Sequence, residues 1–252
     1  MNGRESLPAA VRALVEARRD ARAASDWNRA DVLRDQIAAL GWEVQDGPKR
    51  STARPLLPTE PAVTGYANPD DLASTLDDAA TVSASVQFVA DDHPDDLRRM
   101  LAGLATHPPS VSWELVVVAN APSFDLESLL AASPIEPAVL RTSQRLGWAD
   151  SRTLGMRRSR GKMTVLLDTS IEPIGDFLAP LLAAFDDPSV GLAGGWGVSS
   201  GDARQFHDAP PGEVDAIEGY CLAVRRDALR AVGGFDRRFR FYRIADLDFS
   251  FA

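Results

Sequence analysis

Lys162–Pro173 reads KMTVLLDTSIEP. Within it, Met163 to Leu167 is an almost unbroken apolar run, bounded by Gly161 on one side and by Asp168, Thr169 and Ser170 on the other. A run this short and this apolar reads as a strand buried on both faces, the central kind in a parallel sheet. A helix is the competing reading, but the glycine before and the polar stop after leave too few residues for one. Open α/β sheets bind their ligands at the C-terminal ends of strands, which is where Asp168 falls. Asp168 is therefore either the cap of a turn or a carboxylate facing a ligand, and its surroundings must decide.

The flanking sequence supplies the rest of the sheet. From Thr81 onward the pattern is β-α-β-α. Val82 to Ala90 reads as a strand, and Pro94 opens a helix with Asp95 and Asp96 in its first turn, where negative charge meets the positive end of the helix dipole. Trp113 to Ala119 is the second strand, Pro137 to Thr142 the third, Trp148 to Arg160 a helix, and Met163 to Asp168 the fourth strand. A helix over roughly Gly175 to Phe185 and a fifth strand from Val190 to Trp196 follow. Strands alternating with single helices predict right-handed crossovers and a mostly parallel sheet with helices on both faces.

N-terminal to this, residues 7 to 40 read as a helical hairpin. Val11, Leu14, Val15 and Ala21 form a stripe interrupted by Arg18, and Ala30, Leu33, Ile37 and Leu40 form a second. Ser25 or Asp26 is placed to cap the second helix and Gly41 to stop it, before Trp42 to Asp46 runs on as a short extended segment. Two such helices bury little alone, so the unit needs a partner surface. Between hairpin and sheet, residues 47–80 carry Pro48, Pro55, Pro58, Pro61 and Pro69 and read as a linker, with Asn68 to Leu72 starting a short helix. The expected division is thus a hairpin over 1–46, a linker over 47–80 and an α/β domain over 81–252.

The totals narrow the function classes. An apolar fraction of 45% and a charged fraction of 25% are ordinary for a globular protein, and the net charge of -9 argues against a general nucleic-acid-coating surface. One cysteine, Cys221, excludes an internal disulfide framework and a cysteine-rich metal site. The N-terminus has no apolar leader run and nothing approaches the ~18 apolar residues of a membrane span, so a cytoplasmic protein is expected.

Two resemblances follow from longer blocks. ARRDARAASDWNRADVLRDQIAALGWEVQDGP, residues 17–48, resembles the small helical C-terminal unit of bacterial cysteinyl-tRNA synthetases, through Asp26-Trp27, Ala30-Asp31, Leu33-Arg34-Asp35 and the closing Gly-Trp step. That resemblance implies tRNA contact through Arg18, Arg19, Arg22, Arg29 and Arg34, or a protein partner. The interleaved acids equally describe a solvated basic face on an interaction hairpin. The blocks LGWADSRTLGMRRSRGKMTVLLDTSIEP and RRDALRAVGGFDRRFRFYRIADLDFS, together with the strand ends at Asp91-Asp92, Asn120 and Asp168, resemble family 2 glycosyltransferases of the GT-A, Rossmann-like fold.

The second resemblance implies transfer of a sugar from a nucleoside-diphosphate donor to an acceptor hydroxyl, with inversion. Asp92, Asn120 and Asp168 would then bind donor, Asp168 and Ser170 a divalent cation (Mg²⁺ or Mn²⁺), Glu218 and Gly219 the acceptor, and Asp246 would be the general base. Such chemistry wants hard oxygen ligands for a cation and a carboxylate to take the acceptor's proton. Each residue also has a simpler role: Asp91 and Asp92 as helix caps, Asp246 as a helix-start charge, and Gly233-Gly234 as a helix stop. Arg145 and Arg152 read either as surface charges or as diphosphate partners, His93 and His207 as structural or exposed, and Cys221 as core. The sequence also departs from the family pattern at Ala119, Ser170 and Ala245, where acids are usual, and at Asp150 to Thr153. The alternative function is accordingly a catalytically degenerate binding module of the same fold, associated with RNA or a synthetase complex.

Overall fold

The computed structural model describes residues 7–46, 51–55, 65–242 and 244–252. The chain divides into two compact units, Met1–Pro61 and Ala62–Ala252.

In the first unit, α1 (Ala9–Ala23) and α2 (Trp27–Ala39) form the expected hairpin. Asp26 caps α2, its carboxylate accepting from the Arg29 amide at 3.1 Å. Val11, Val15, Ile37 and Val44 make one apolar cluster and Ala21, Ala30 and Leu33 another. Arg18 does not break the stripe. It is buried within it, as the aliphatic stem of an arginine allows. Gly41, at φ 79°, takes the left-handed conformation that ends α2. The chain then enters β1 (Trp42–Asp46), which pairs antiparallel with β2 (Ser51–Pro55) from Trp42↔Pro55 to Asp46↔Ser51. The stretch expected as linker from residue 47 therefore contains a strand. Pro55 sits at its last position, where a two-stranded ribbon tolerates proline. Pro48, Pro58 and Pro61 lie outside the described residues.

In the second unit a single 3-10 turn (Pro69–Asp71), capped by Asn68, precedes β3 (Val82–Ala90), α3 (Pro94–Thr106), β4 (Trp113–Ala119), α4 (Leu126–Leu130) and β5 (Ala138–Arg141). Then come α5 (Trp148–Arg158), β6 (Gly161–Leu167), α6 (Leu178–Ala184) and β7 (Leu192–Gly194). The short strands β8 (Gly197–Ser199), β9 (His207–Asp208) and β10 (Ala216–Ile217) form a small antiparallel sheet. β11 (Cys221–Arg225), α7 (Arg226–Val232) and α8 (Ala245–Ser250) complete the order. The main sheet runs β5-β4-β3-β6-β11-β7. Its first four strands are parallel, and β11 is antiparallel to both neighbours.

Both faces are covered. On one, Val86, Phe88, Val117 and Val165 pack with Leu97, Met100 and Leu101 of α3, Leu126 of α4 and Leu178 of α6. On the other, Leu166, Leu222 and Val224 pack with Met156 of α5, Leu229 of α7 and Phe249 of α8, while Val116 and Val118 meet Leu154 of α5. This is the mostly parallel α/β sheet that the alternation predicts. The helix after β6 is shorter than expected, because the Asp176 carboxylate accepts from the Leu178 and Ala179 amides and so fixes its start. Among the described residues no helix is long and apolar enough to cross a membrane.

Residues 65–80, expected as linker, are built into this unit. The Tyr66 amide donates to the Arg141 carbonyl at 2.9 Å, and Leu76 is buried. The side chain of Arg226, itself buried, donates to the carbonyls of Ser159 (2.9 Å), Gly161 (3.2 Å), Asp78 (3.0 Å) and Thr75. Arg230 adds bonds to the Leu76 carbonyl. A segment with few apolar residues is thus held by its backbone oxygens instead. Arg226→Met removes the donors that its guanidinium gives to Thr75, Asp78, Ser159 and Gly161, so we expect it to cost about 3 kcal/mol and to lower the melting temperature by roughly 5–10 °C. A urea or thermal unfolding curve unchanged by this substitution would show that the clamp contributes little.

Candidate active site

The site lies at the C-terminal edge of the parallel strands, and β6 delivers its central residue. Asp168 directly follows β6, and its amide donates to the Tyr220 carbonyl at 2.9 Å, extending the β6–β11 pairing by one step. Its Oδ1 accepts from the Ser170 amide at 3.0 Å and from the Ser170 hydroxyl at 2.7 Å. Its Oδ2 accepts from Nη2 of Arg152 at 3.2 Å. Asp168 is therefore both a turn-capping side chain and half of an ion pair. The two partners differ in environment: the Asp168 side chain is 33% exposed and that of Arg152 only 5%.

Arg152 reaches Asp168 from α5, where it follows Trp148 by one helical turn. Its guanidinium carbon lies 4.6 Å from the centre of the Trp148 ring, a cation–π stack. Nε and Nη1 of Arg152 are buried and have no hydrogen-bond partner among the described residues. Burial pulls the pKa of this guanidinium down, while the negative charges of Asp168, Asp91 and Asp246 act in the opposite direction. Of the two sequence readings of Arg152, surface charge is excluded by its burial.

Asp246 enters from α8, in its first turn, and is buried. Its Oδ2 accepts from the Gly219 amide at 2.8 Å and from the Tyr242 hydroxyl at 3.0 Å, and its Oδ1 accepts from the Leu247 amide at 3.0 Å. Burial and the adjacent Asp246 carboxylate push the Tyr242 phenol up from its usual value, so it stays a donor. Tyr242 also packs on Trp148 and Tyr220, with ring centres 5.4 and 5.8 Å away. Glu218 is pushed up by burial and then by the negative charge of Asp246 and Asp208. The turn after α7 does two things. Gly233, at φ 87°, stops the helix, and a Cβ on Gly234 would come within 2.6 Å of the Thr153 side chain. Phe235 then bonds Thr153 and packs on Trp148.

The sequence-predicted residues divide in two. Asp168, Ser170, Glu218, Gly219 and Asp246 are linked through the Gly219–Tyr220 backbone and the hydrogen bonds above. Asn120 is turned into the fold. It is buried, and its amide accepts from the Leu146 N–H at 2.7 Å and donates to the Leu146 carbonyl at 3.1 Å, so it fastens the turn before α5. Asp92 neither caps α3, whose N-cap is His93 without a side-chain bond, nor stands open. It forms a two-bond fork with Arg145, both distances 2.7 Å. His93 and His207 are exposed, and burial pushes the Cys221 thiol up to about 11. The sequence alone assigns no role to Trp148 or Tyr242. Their signal is spacing: Trp148 and Arg152, like Tyr242 and Asp246, are four residues apart.

A resident divalent cation is not well served by these residues. Among the described residues no three His, Cys, Asp or Glu side chains gather as ligands. The expected pair, Asp168 and Ser170, is bonded to itself on one oxygen and to a guanidinium on the other. Mg²⁺ at nucleotide sites takes one or two carboxylates, with waters and phosphate oxygens completing its shell, and here the second position is a hydroxyl.

With this geometry in place, comparison with known proteins defines the class. GalNAc-T7 with UDP, GalNAc and Mn²⁺ aligns with a TM-score of 0.54 at 15% identity, over 69% of this chain and 40% of that one. S. aureus TarS with UDP-GlcNAc aligns at 0.51 and 14% identity, over 67% and 52%. The mannosyltransferase PcManGT from Pyrobaculum calidifontis, with GDP-Man and Mn²⁺, aligns at 0.50 and 18% identity, over 66% and 50%. These likenesses establish a glycosyltransferase GT-A fold. The chain belongs to glycosyl transferase family 2, whose profile matches residues 90–220, just over half of it. Residues 4–54 match a second family, the cysteinyl-tRNA ligase anticodon binding domain. That part is similar to the cysteine–tRNA ligase of Aliivibrio salmonicida (47% identical over 53 residues, 21% of this chain and 12% of that protein). The ligase of Nitratidesulfovibrio vulgaris is 58% identical over 41 residues, 16% of this chain and 8% of that protein. The chain thus spans about half the length of the glycosyltransferase structures or less, and about a tenth of the ligases.

Removing the carboxylate partner of a buried guanidinium is costly, discounted here because Asp168 is partly exposed. We expect Asp168→Asn to destabilise by about 2 kcal/mol, and Arg152→Met added to it to recover most of that loss. A urea double-mutant cycle checks this, and additive effects of the two substitutions would mean that the pair is not coupled.

Proposed function

We propose that the second unit transfers a glycosyl group from a nucleoside-diphosphate sugar to an acceptor hydroxyl with inversion at the anomeric carbon. The observation that carries the reading is the joint made by Gly219 and Tyr220. The amide of the first binds Asp246 and the carbonyl of the second binds the amide of Asp168, so donor-side and base-side carboxylates are held by adjacent residues. In the reaction the acceptor oxygen attacks the anomeric carbon while its proton passes to Asp246. The bond to the diphosphate oxygen breaks, and the departing nucleoside diphosphate keeps the electron pair. Gly219, Leu247 and Tyr242 aim the Asp246 carboxylate, which costs no reorganisation at the moment of reaction. Glu218 borders the acceptor side beside Asp246. The family membership supports donor binding, and the neighbours' own nucleotides, UDP and GDP, are the natural first probes.

Calorimetry with UDP-GlcNAc and GDP-mannose, together with release of UDP or GDP, tests the reading. Asp246→Asn is expected to leave donor affinity within about threefold and to lower turnover by about a hundredfold or more. Donor binding without turnover in the unmodified protein would instead favour a binding module of the same fold. That second reading draws on the bonds that both Asp168 oxygens already make, to Arg152 and to Ser170.

For the first unit we propose an interaction hairpin rather than an RNA-binding one. Arg19 pairs with Asp20 at 3.1 Å and Arg34 with Asp31 at 3.2 Å, so arginine charge is offset locally. Arg22 stacks on the half-exposed Trp27, 5.6 Å from its ring centre. Filter retention of bulk tRNA is expected to be the same for the unmodified protein and for Arg22→Ala/Arg29→Ala. Retention that the double substitution abolishes would overturn this and restore tRNA as the ligand.

A further inference from the structure

Two of the structural neighbours, PcManGT and GalNAc-T7, are described with Mn²⁺. We propose that the second unit binds the diphosphate of its nucleotide donor without a divalent cation, the fixed positive charge at the strand end being the guanidinium of Arg152. This deepens the proposed function and rests on its donor-binding reading.

Three observations converge. First, the strand end offers a single carboxylate where a nucleotide-bound cation takes one or two: Asp168 is followed two positions later by Ser170, whose hydroxyl and amide both turn back onto Asp168. Second, the remaining Asp168 oxygen holds Arg152 at 3.2 Å, so a positive charge already lies on the carboxylate a cation would have to use. A divalent ion brought against that guanidinium would meet like-charge repulsion in a partly buried site. Third, Arg152 has more donor capacity than Asp168 uses. It is 5% exposed, Trp148 stacks on it, and its Nε and Nη1 have no partner among the described residues. Buried guanidinium N–H groups normally find acceptors, and phosphate oxygens are their best-matched ones, in forked geometry. Arg226, in the same domain, has all but Nε met by backbone carbonyls.

The test compares titrations of UDP, GDP, UDP-GlcNAc and GDP-mannose into EDTA-treated protein and into the same protein with millimolar Mn²⁺. The dissociation constant of the bound nucleotide is expected to agree within threefold between the two. Arg152→Gln is expected to weaken binding tenfold or more and Arg152→Lys by less, with circular dichroism confirming the fold of each. Ser170→Asp, which supplies the second acid, is expected to make binding respond to Mn²⁺ at least fivefold. Binding by the unmodified protein that tightens tenfold or more with Mn²⁺ overturns the inference while leaving the donor reading intact. So does Arg152→Gln binding as tightly as the unmodified protein. No binding of any of the four nucleotides, with or without Mn²⁺, overturns the donor reading and this inference together.

Discussion

The candidate-site edge of the second unit depends on one strand pairing, β11 running antiparallel against β6. Cys221 stands opposite Leu167 and Arg225 opposite Met163, so the residues just before β11 arrive beside the residue just after β6. Had β11 been parallel, the turn containing Glu218, Gly219 and Tyr220 would lie at the opposite end of the sheet, a full strand length from Asp168. The short β8, β9 and β10 sheet makes the reversal possible, because it returns the chain to the same edge without a crossover helix. Everything placed around Asp246 follows: Gly219 takes Asp246, Asp246 takes Tyr242, and Tyr242 packs on Trp148, on which Arg152 stacks.

That pairing also explains what can be read from the sequence and what cannot. The parallel strands are legible because each is a run of apolar residues between turn signals, and the central ones are buried on both faces. Asp168 is legible as a strand-end residue for the same reason. The direction of β11 is not, since a five-residue run carries no mark of which way its partner points. Residues 65–80 read as linker because they are held by backbone carbonyls, and a carbonyl leaves no trace in side-chain pattern. Arg226 and Arg230, about 150 positions further on, supply the donors. Likewise Asn120 reads as a strand-end ligand until Leu146 is seen to occupy both ends of its amide.

The N-terminal hairpin presents the reverse case. Its helices, its cap at Asp26 and its glycine stop are all local, and local signals survive without tertiary information. What is not local is the β1–β2 ribbon, whose second strand lies in a proline-rich stretch. A proline at the end of a two-stranded ribbon sacrifices little, so composition there is a poor guide to order.

The energetics of Arg152 bear on what kind of site this is. Burying a guanidinium costs several kcal/mol, and a single 3.2 Å contact with a partly exposed carboxylate does not repay it in full. A buried ion pair is weak evidence of stability, so the fold gains little by keeping one here. The gain lies in position. A charge held in advance, by a stacked tryptophan and a strand-end carboxylate, need not be reoriented for the diphosphate departure proposed above. A cation would bring twice the charge, but its ligands would have to be gathered and its placement would depend on the nucleotide it accompanies. At the tip of β6 the described residues offer one carboxylate and one hydroxyl for that purpose, and the arginine on α5 is a charge already in place.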